Sequence, residues 1–360
     1  MMNYTPIPTK PMDISVTVHI TTEPPVPVVS NSFFVNMPNI VPQFNITHVA
    51  AQYKISTSEM NNLLKINESY GLLCEVVLSK FVQERSKYAK ISNAFFTRVE
   101  VLSICNILTP IQSGEINNNI MYIGDDFHAF TGVIGHMIHR RAINFTPVAS
   151  SQLRESGGLE KIISQTTSKN MALIYVDVCA SDLVYSHTYV VFLLKTLTII
   201  LSEQCKKGSV IIKTNMLIFK PVLDVLYLLS GKYEHMYIVR PFVSEDAYSR
   251  FVVFTNLKSN INSGVIDNLI NTANSVNTIA PNQFINSIID CKMSQYFTAK
   301  IEESNLLIGQ KYVEKYDSLI TLIKTYAKDN KIDYTKSASI ARCIAWCDKH
   351  NIPTQTPPIT

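Results

Sequence analysis

Three short apolar runs constrain this chain more than any other feature. Ile120-Met-Tyr-Ile123 ends at Gly124, Ala172-Leu-Ile-Tyr-Val176 at Asp177, and Ser209-Val-Ile-Ile212 at Lys213. Unbroken apolar runs of this length fit strands buried on both faces, as in a parallel sheet. Between the last two lies the apolar stretch 187–204, which reads as a helix stopped by Lys206, Lys207 and Gly208; Pro221 then opens a helix that Gly231 closes. His235-Met-Tyr-Ile-Val239 and Arg250-Phe-Val-Val-Phe254 add two strands, the second expected to return antiparallel at the sheet edge. Strands alternating with helices predict an α/β chain with a Rossmann-like, doubly wound sheet, in which ligands gather at the carboxyl ends of the strands. Gly124, Asp177 and Lys213 all fall at such ends.

The flanks have a different texture. Residues 1–45 hold eight of the sixteen prolines and read as an extended arm with room for one strand, lying along a surface or a partner. Residues 46–110 read as helical: Met60, Leu63, Leu64, Leu72, Leu73, Val76, Val77 and Phe81 recur at helical spacing behind Ser58 and Glu59 as starters. A further helix over 93–108 buries Phe95, Phe96, Val99, Leu102 and Ile107. The α/β core then covers 111–258, and 259–360 form a helical extension and tail. With 46% hydrophobic and 17% charged residues, disorder is excluded as the default. A net charge of +4 is too small to identify a nucleic-acid binder, and leaves only a local basic patch as a route to one. No secretory leader is expected, because the first 45 residues are proline-rich and present no basic stretch followed by an apolar one, and no membrane span, because the longest apolar stretch, 189–201, is short and broken by Lys195; this points to the cytoplasm, of a host cell or a virion. Seven scattered cysteines suggest reduced thiols, and Cys343, Cys347 and His350 lack a second ligand pair, so no metal site is expected.

Gly208-Ser-Val-Ile-Ile-Lys213, a helix, Tyr237-Ile-Val-Arg-Pro-Phe-Val-Ser244 and Phe251-Val-Val-Phe254 together resemble the second half of the FtsJ-type RNA ribose 2′-O-methyltransferases. Over about 93–255 the order and spacing are similar to the methyltransferase domain of the large polymerase proteins of non-segmented negative-strand RNA viruses. The resemblance implies S-adenosyl-L-methionine as methyl donor, the capped 5′ end of an RNA as substrate, and a Lys-Asp-Lys-Glu tetrad around the ribose hydroxyl. Asp177 and Lys213 stand at its second and third places. Thr97 stands at the first, with Arg98 beside it; Ser249 stands at the fourth, with Glu245 and Asp246 just upstream. A 2′-hydroxyl is a poor nucleophile, and a lysine tuned by carboxylates can polarise it or take its proton.

The resemblance places Ile123-Gly-Asp-Asp-Phe-His-Ala-Phe130 at the cofactor, with Gly124, Asp125, Asp126 and His128 as its contacts, where the family has several glycines and this loop keeps one. Catalysis is assigned to Asp177, Lys213 and Glu245. Arg98, Arg140 and Arg141 are the candidate RNA contacts, the last two in a basic cluster with His136 and His139 that reads equally as a solvated helix end. The alternative reading is a catalytically inactive protein of methyltransferase fold that binds RNA or a viral polymerase or capsid partner.

Overall fold

The computed structural model describes residues 4–7, 9, 16–28, 46–78, 81, 93–138, 142–166, 170–178, 185–215, 217–243, 250–258, 263–277, 279–280, 282–329 and 332–355. Nine strands are present among them: β1 (Tyr4–Ile7), β2 (His19–Thr21), β3 (Asn119–Ile123), β4 (Asn144–Val148), β5 (Met171–Val176), β6 (Gln204–Thr214), β7 (Tyr233–Val239), β8 (Arg250–Leu257) and β9 (Phe284–Ser287). Seven form one sheet in the order β1-β7-β8-β6-β5-β3-β4, while β2 and β9 pair apart from it. The strands β4, β3, β5 and β6 are mutually parallel. β8 runs antiparallel to both β6 and β7, and β1 runs antiparallel to β7. The chain is therefore α/β with a seven-stranded mixed sheet, compatible with a Rossmann-like fold.

β8 lies inside the sheet, between β6 and β7, and the expected edge position is corrected accordingly. Residues 250–254 are all buried, so a strand with apolar groups on both faces has gone where both faces are covered. The edge is held by β1, part of the proline-rich arm. Lys206, Lys207 and Gly208 do not follow a helix end as a separate stop. The helix closes at Glu203 and β6 begins at once, with Lys207 in the left-handed region at φ 64°. Gly231 sits inside the helix Lys220–Lys232 rather than ending it.

Side chains alternate across the sheet and build two cores. On one face Met121, Ile123, Ile174, Val176, Val210, Ile212, Val252 and Phe254 meet the helices His187–Glu203 and Lys220–Lys232, with Ser263–Val276 packed outside. The helix His187–Glu203 is apolar nearly all round because it is covered by the sheet on one side and by Ser263–Val276 on the other. Its single lysine, Lys195, is buried and donates to the Leu153 carbonyl at 2.6 Å.

On the other face Ile120, Tyr122, Leu173, Tyr175, Ile211, Phe251 and Val253 meet the helices Thr57–Asn67, Asn93–Ile104 and Phe127–Met137. Ser56, not Ser58, caps the first of these: its side chain accepts from the Glu59 amide, and Glu59 returns the bond to the Ser56 amide. The helix Ile332–Lys349 closes the same face with Cys343, Trp346 and Cys347. The last described residues are tied to the N-terminal helices, as Gln355 donates to the Val76 carbonyl and Leu78 to that of Pro353. The two helical flanks thus form one layer. Across the sheet the arm is tied down as well, with Val28 donating to the Ile218 carbonyl and Thr17 to that of Ile288.

Candidate functional site

Three side chains far apart in sequence meet where β3, β5 and β6 end. β5 carries the chain to Asp177, whose amide donates to the Ile123 carbonyl at 2.8 Å and so fixes its backbone to β3. β6 delivers Lys213, held in register opposite Phe251 of β8. Arg98 reaches in from the helix Asn93–Ile104, which is anchored by Phe95, Phe96, Val99 and Leu102. Its Nε and Nη2 both donate to Asp177 Oδ2, at 3.0 and 2.6 Å, and Nη2 also donates to Asp126 Oδ2 at 2.9 Å. The second Asp177 oxygen faces Lys213 Nζ at 3.4 Å. Tyr122 adds its hydroxyl to Asp177 Oδ2 at 3.3 Å.

Burial decides what each group can do. The side chains of Arg98 and Asp177 are 4% and 9% exposed, against 29% for Lys213. Burial alone would raise the Asp177 pKa, but Arg98 and then Lys213 outweigh it and hold the carboxylate below its ordinary range. Burial likewise opposes the Arg98 charge, yet Asp177 overcomes this and pushes the guanidinium above its usual value. Burial, then the Asp177 charge, push the Tyr122 phenol far up, so it stays a neutral donor. Beneath the network Tyr122, Phe130 and Tyr175 stack on one another with centroids 4.7 to 6.1 Å apart, a packed floor in which each aromatic pair contributes about 0.5–1.5 kcal/mol. The outcome is a buried Arg98–Asp177 pair with two more exposed arms, Lys213 and Asp126.

The structure brings Asp177 and Lys213 together as the resemblance implies. Arg98 is a correction: expected at the RNA, its guanidinium is turned inward onto Asp177 and Asp126, with the residue 3% exposed. Thr97, beside it, is buried as well. Glu245, Asp246, Ser249, His139, Arg140 and Arg141 lie outside the described residues.

The loop after β3 divides in two. Both oxygens of Asp125 are engaged by Ser150, Oδ1 with its amide at 3.0 Å and Oδ2 with its hydroxyl at 2.6 Å, so this residue caps the turn Ser150–Arg154. Gly124 packs against Tyr122 so closely that a Cβ there would stand 3.0 Å from the phenol oxygen. Asp126, half exposed, uses Oδ2 for Arg98, and His128 is exposed on the first turn of Phe127–Met137. Asp126 and His128 have the chemistry to meet a cofactor's hydroxyl or amino groups, and Asp125, exposed and holding Ser150, keeps one further acceptor position on each oxygen.

Tyr122 is a site residue that sequence reading missed, although its position two residues before Gly124 on a core strand was a usable signal. The fully buried Arg250, whose Nη1 donates to Asn305 Oδ1, was missed too. Cys343, Cys347 and His350 are buried in the helical layer. There His350 stacks on Trp346 at 4.3 Å and accepts at its carbonyl from His136. Among the described residues no helix is long and apolar enough to cross a membrane. No protein-family model matches the chain, and no curated protein matches it.

Proposed function

We propose that this chain carries a ribose 2′-O-methyltransferase-type site acting on RNA. The observation that supports this reading is the convergence of Arg98, Asp177 and Lys213 at the carboxyl edge of β5 and β6. The strand order also fits a methyltransferase-type sheet, with antiparallel β8 inserted before the parallel β7. In this reading Arg98 takes the role of the first tetrad lysine, from the residue next to the matching place. An arginine there cannot exchange its proton at neutral pH, so it serves only to hold Asp177 ionised. Asp177, kept charged, orients Lys213, whose ammonium hydrogen-bonds the ribose 2′-oxygen and so eases loss of the hydroxyl proton to water as that oxygen takes the methyl group. Asp126 and His128 flank the place for S-adenosyl-L-methionine, which supplies the methyl group when bound.

One observation favours the second reading, an inactive protein of this fold kept for binding RNA or a viral polymerase or capsid partner. Both Asp125 oxygens already accept from Ser150, and the loop keeps one glycine where the resemblance implies several, so it offers a cofactor less open backbone than that family has. Calorimetric titration with S-adenosyl-L-methionine and S-adenosylhomocysteine, with and without a capped RNA oligonucleotide, separates the two. Micromolar binding, with methyl transfer lost in Lys213→Ala, supports the enzyme. No binding in either condition refutes it.

A further inference from the structure

A second concavity lies on the face of the sheet that also carries Tyr122 and Tyr175, farther back along the strands from Asp177. It encloses about 340 Å³. Its floor is a row of side chains that the strand register sets side by side. His235 of β7 stands directly opposite Thr255 of β8. Val210 of β6 stands opposite Phe254, which places Ser209 opposite Thr255 from the other side. Directly opposed residues share a face, so Ser209, Thr255 and His235 form one line across three strands, and all three line the cavity. Ser209 is four residues before Lys213, about 13 Å back along β6.

The frame of this row is fixed from behind. Gln204 donates to the Ser209 carbonyl at 2.8 Å and accepts from the Tyr233 hydroxyl at 2.6 Å. Asn256, in the left-handed region at φ 61°, is held by Glu234 at 3.0 Å. The functional ends of the row are not engaged in the same way. Among the described residues no hydrogen bond reaches the Ser209 hydroxyl, the Thr255 hydroxyl or the His235 ring, although Ser209 is only 8% exposed. His235 has Tyr237 as a ring neighbour on the same strand, with centroids 6.1 Å apart. The other wall is apolar, with Ile104, Ile107 and Pro110 supplied by the turn between the helix Asn93–Ile104 and the short helix Thr109–Ser113. Cys105 joins them, and burial pushes its thiol up to about 11, so it stays neutral.

The lining selects the chemistry of the ligand. Among the described residues no Lys, Arg, Asp or Glu lines the cavity, so nothing there offsets the charge of a phosphate, a carboxylate or a metal ion. A hydroxyl both donates and accepts, and a neutral imidazole carries one donor and one acceptor, so the row can meet a rim of mixed donors and acceptors. The apolar wall covers a flat ring face. An uncharged heteroaromatic ring with a polar rim meets both conditions, whereas a saturated sugar alone would turn hydroxyls onto the apolar wall. From Ser209 to His235 the row crosses two strand spacings, about 10 Å, which is longer than one base and leaves room for the sugar attached to it. We propose that this cavity binds a free nucleoside, its base edge on the hydroxyls of Ser209 and Thr255, its base face on Ile104 and Pro110, and its ribose beside His235. Nothing in this site depends on the ribose-methyltransferase reading.

The test is calorimetric titration of the whole chain with adenosine, guanosine, cytidine and uridine in turn, then with their 5′-monophosphates and with methyl glucoside. Circular dichroism melts serve as the control for folding. At least one nucleoside is expected to bind with a Kd below about 1 mM, and no more weakly than its 5′-monophosphate. Thr255→Val keeps the side-chain shape and removes one hydroxyl, and Ser209→Ala removes the other; each is expected to weaken that nucleoside about two- to ten-fold. Absence of binding by all four nucleosides, unchanged affinity in both folded variants, or equally tight binding of methyl glucoside or tighter binding of the monophosphate overturns the proposal. Binding that S-adenosylhomocysteine displaces and that both variants leave unchanged belongs to the place beside Asp126 and overturns it equally. If methyl transfer is absent while Thr255→Val still loses nucleoside affinity, the enzyme reading fails and the nucleoside site stands.

Discussion

Breaking the Arg98–Asp177 pair gives the most direct test of how the site is held. Arg98→Met removes two hydrogen bonds to Asp177 Oδ2 and one to Asp126, and leaves a carboxylate 9% exposed with Lys213 at 3.4 Å as its remaining cation. Stranding a buried charge in this way costs about 3–5 kcal/mol. Asp177→Asn leaves the guanidinium with the half-exposed Asp126 alone, and its cost is of the same order. The double variant strands neither charge, so it is expected to lie near the better single variant, giving a coupling energy about as large as the worse single cost, about 3–5 kcal/mol. Urea unfolding of the four proteins at pH 7 measures this. The sign with pH follows from the direction of the shift. The Asp177 pKa is below its unfolded value, so its contribution is present above the ordinary aspartate pKa and is lost as pH falls through the folded one. The gap between parent and Asp177→Asn should therefore close in acid. Additive single costs within about 0.5 kcal/mol would refute the reasoning, because the two ions would then not be acting on each other.

Other consequences can be checked singly. His350, 8% exposed, has its pKa drawn down to about 4, first by burial and then by Lys349 and His136. Its stability contribution is full above about pH 6.5 and is lost as pH falls toward 4, by no more than about 3 kcal/mol. Chemical denaturation between pH 7 and 4.5 should show that fall in the parent and less of it in His350→Phe. Asp125→Ala removes the acceptor of the Ser150 amide and hydroxyl and is expected to cost about 1 kcal/mol, read as a lowered urea midpoint with an unchanged slope. Asn305→Ala takes away the acceptor of Arg250 Nη1 and the donor to the Leu217 carbonyl. A thermal melt should register a cost of about 3 kcal/mol, larger than for any exposed asparagine.

The strands that end at Gly124, Asp177 and Lys213 were legible because a buried parallel strand has no polar face to interrupt its apolar run. The helix at 93–104 was legible from Phe95, Phe96, Val99 and Leu102. The place of β8 was not, since an apolar run says that both faces are covered without saying which strands lie on either side. Ser56 was passed over for Ser58 because both precede Glu59 closely, and only the backbone bond decides which one caps. In the site, Asp177 and Lys213 were visible as polar groups at strand ends. The bond from Ser150 to Asp125 was not legible, because Ser150 follows a different strand. Arg98 was read as a candidate RNA contact, yet a guanidinium can be buried once two carboxylates converge on it, and convergence is a property of the fold rather than of any one segment.

The pairing of Tyr4–Ile7 with β7 has a consequence for how this protein is made. A strand that borders a sheet leaves a row of backbone donors and acceptors open to any other chain, and β7 would present such a row if β1 were missing. β1 is synthesised first but cannot dock until β7, more than two hundred residues later, has left the ribosome. Until then the nascent chain carries β1 as an unpaired strand. Docking then moves the edge from the seven-residue β7 to the four-residue β1, whose Pro6 has no amide hydrogen to offer a further strand, which makes shielding of the nascent chain a determinant of whether the protein is recovered in soluble form.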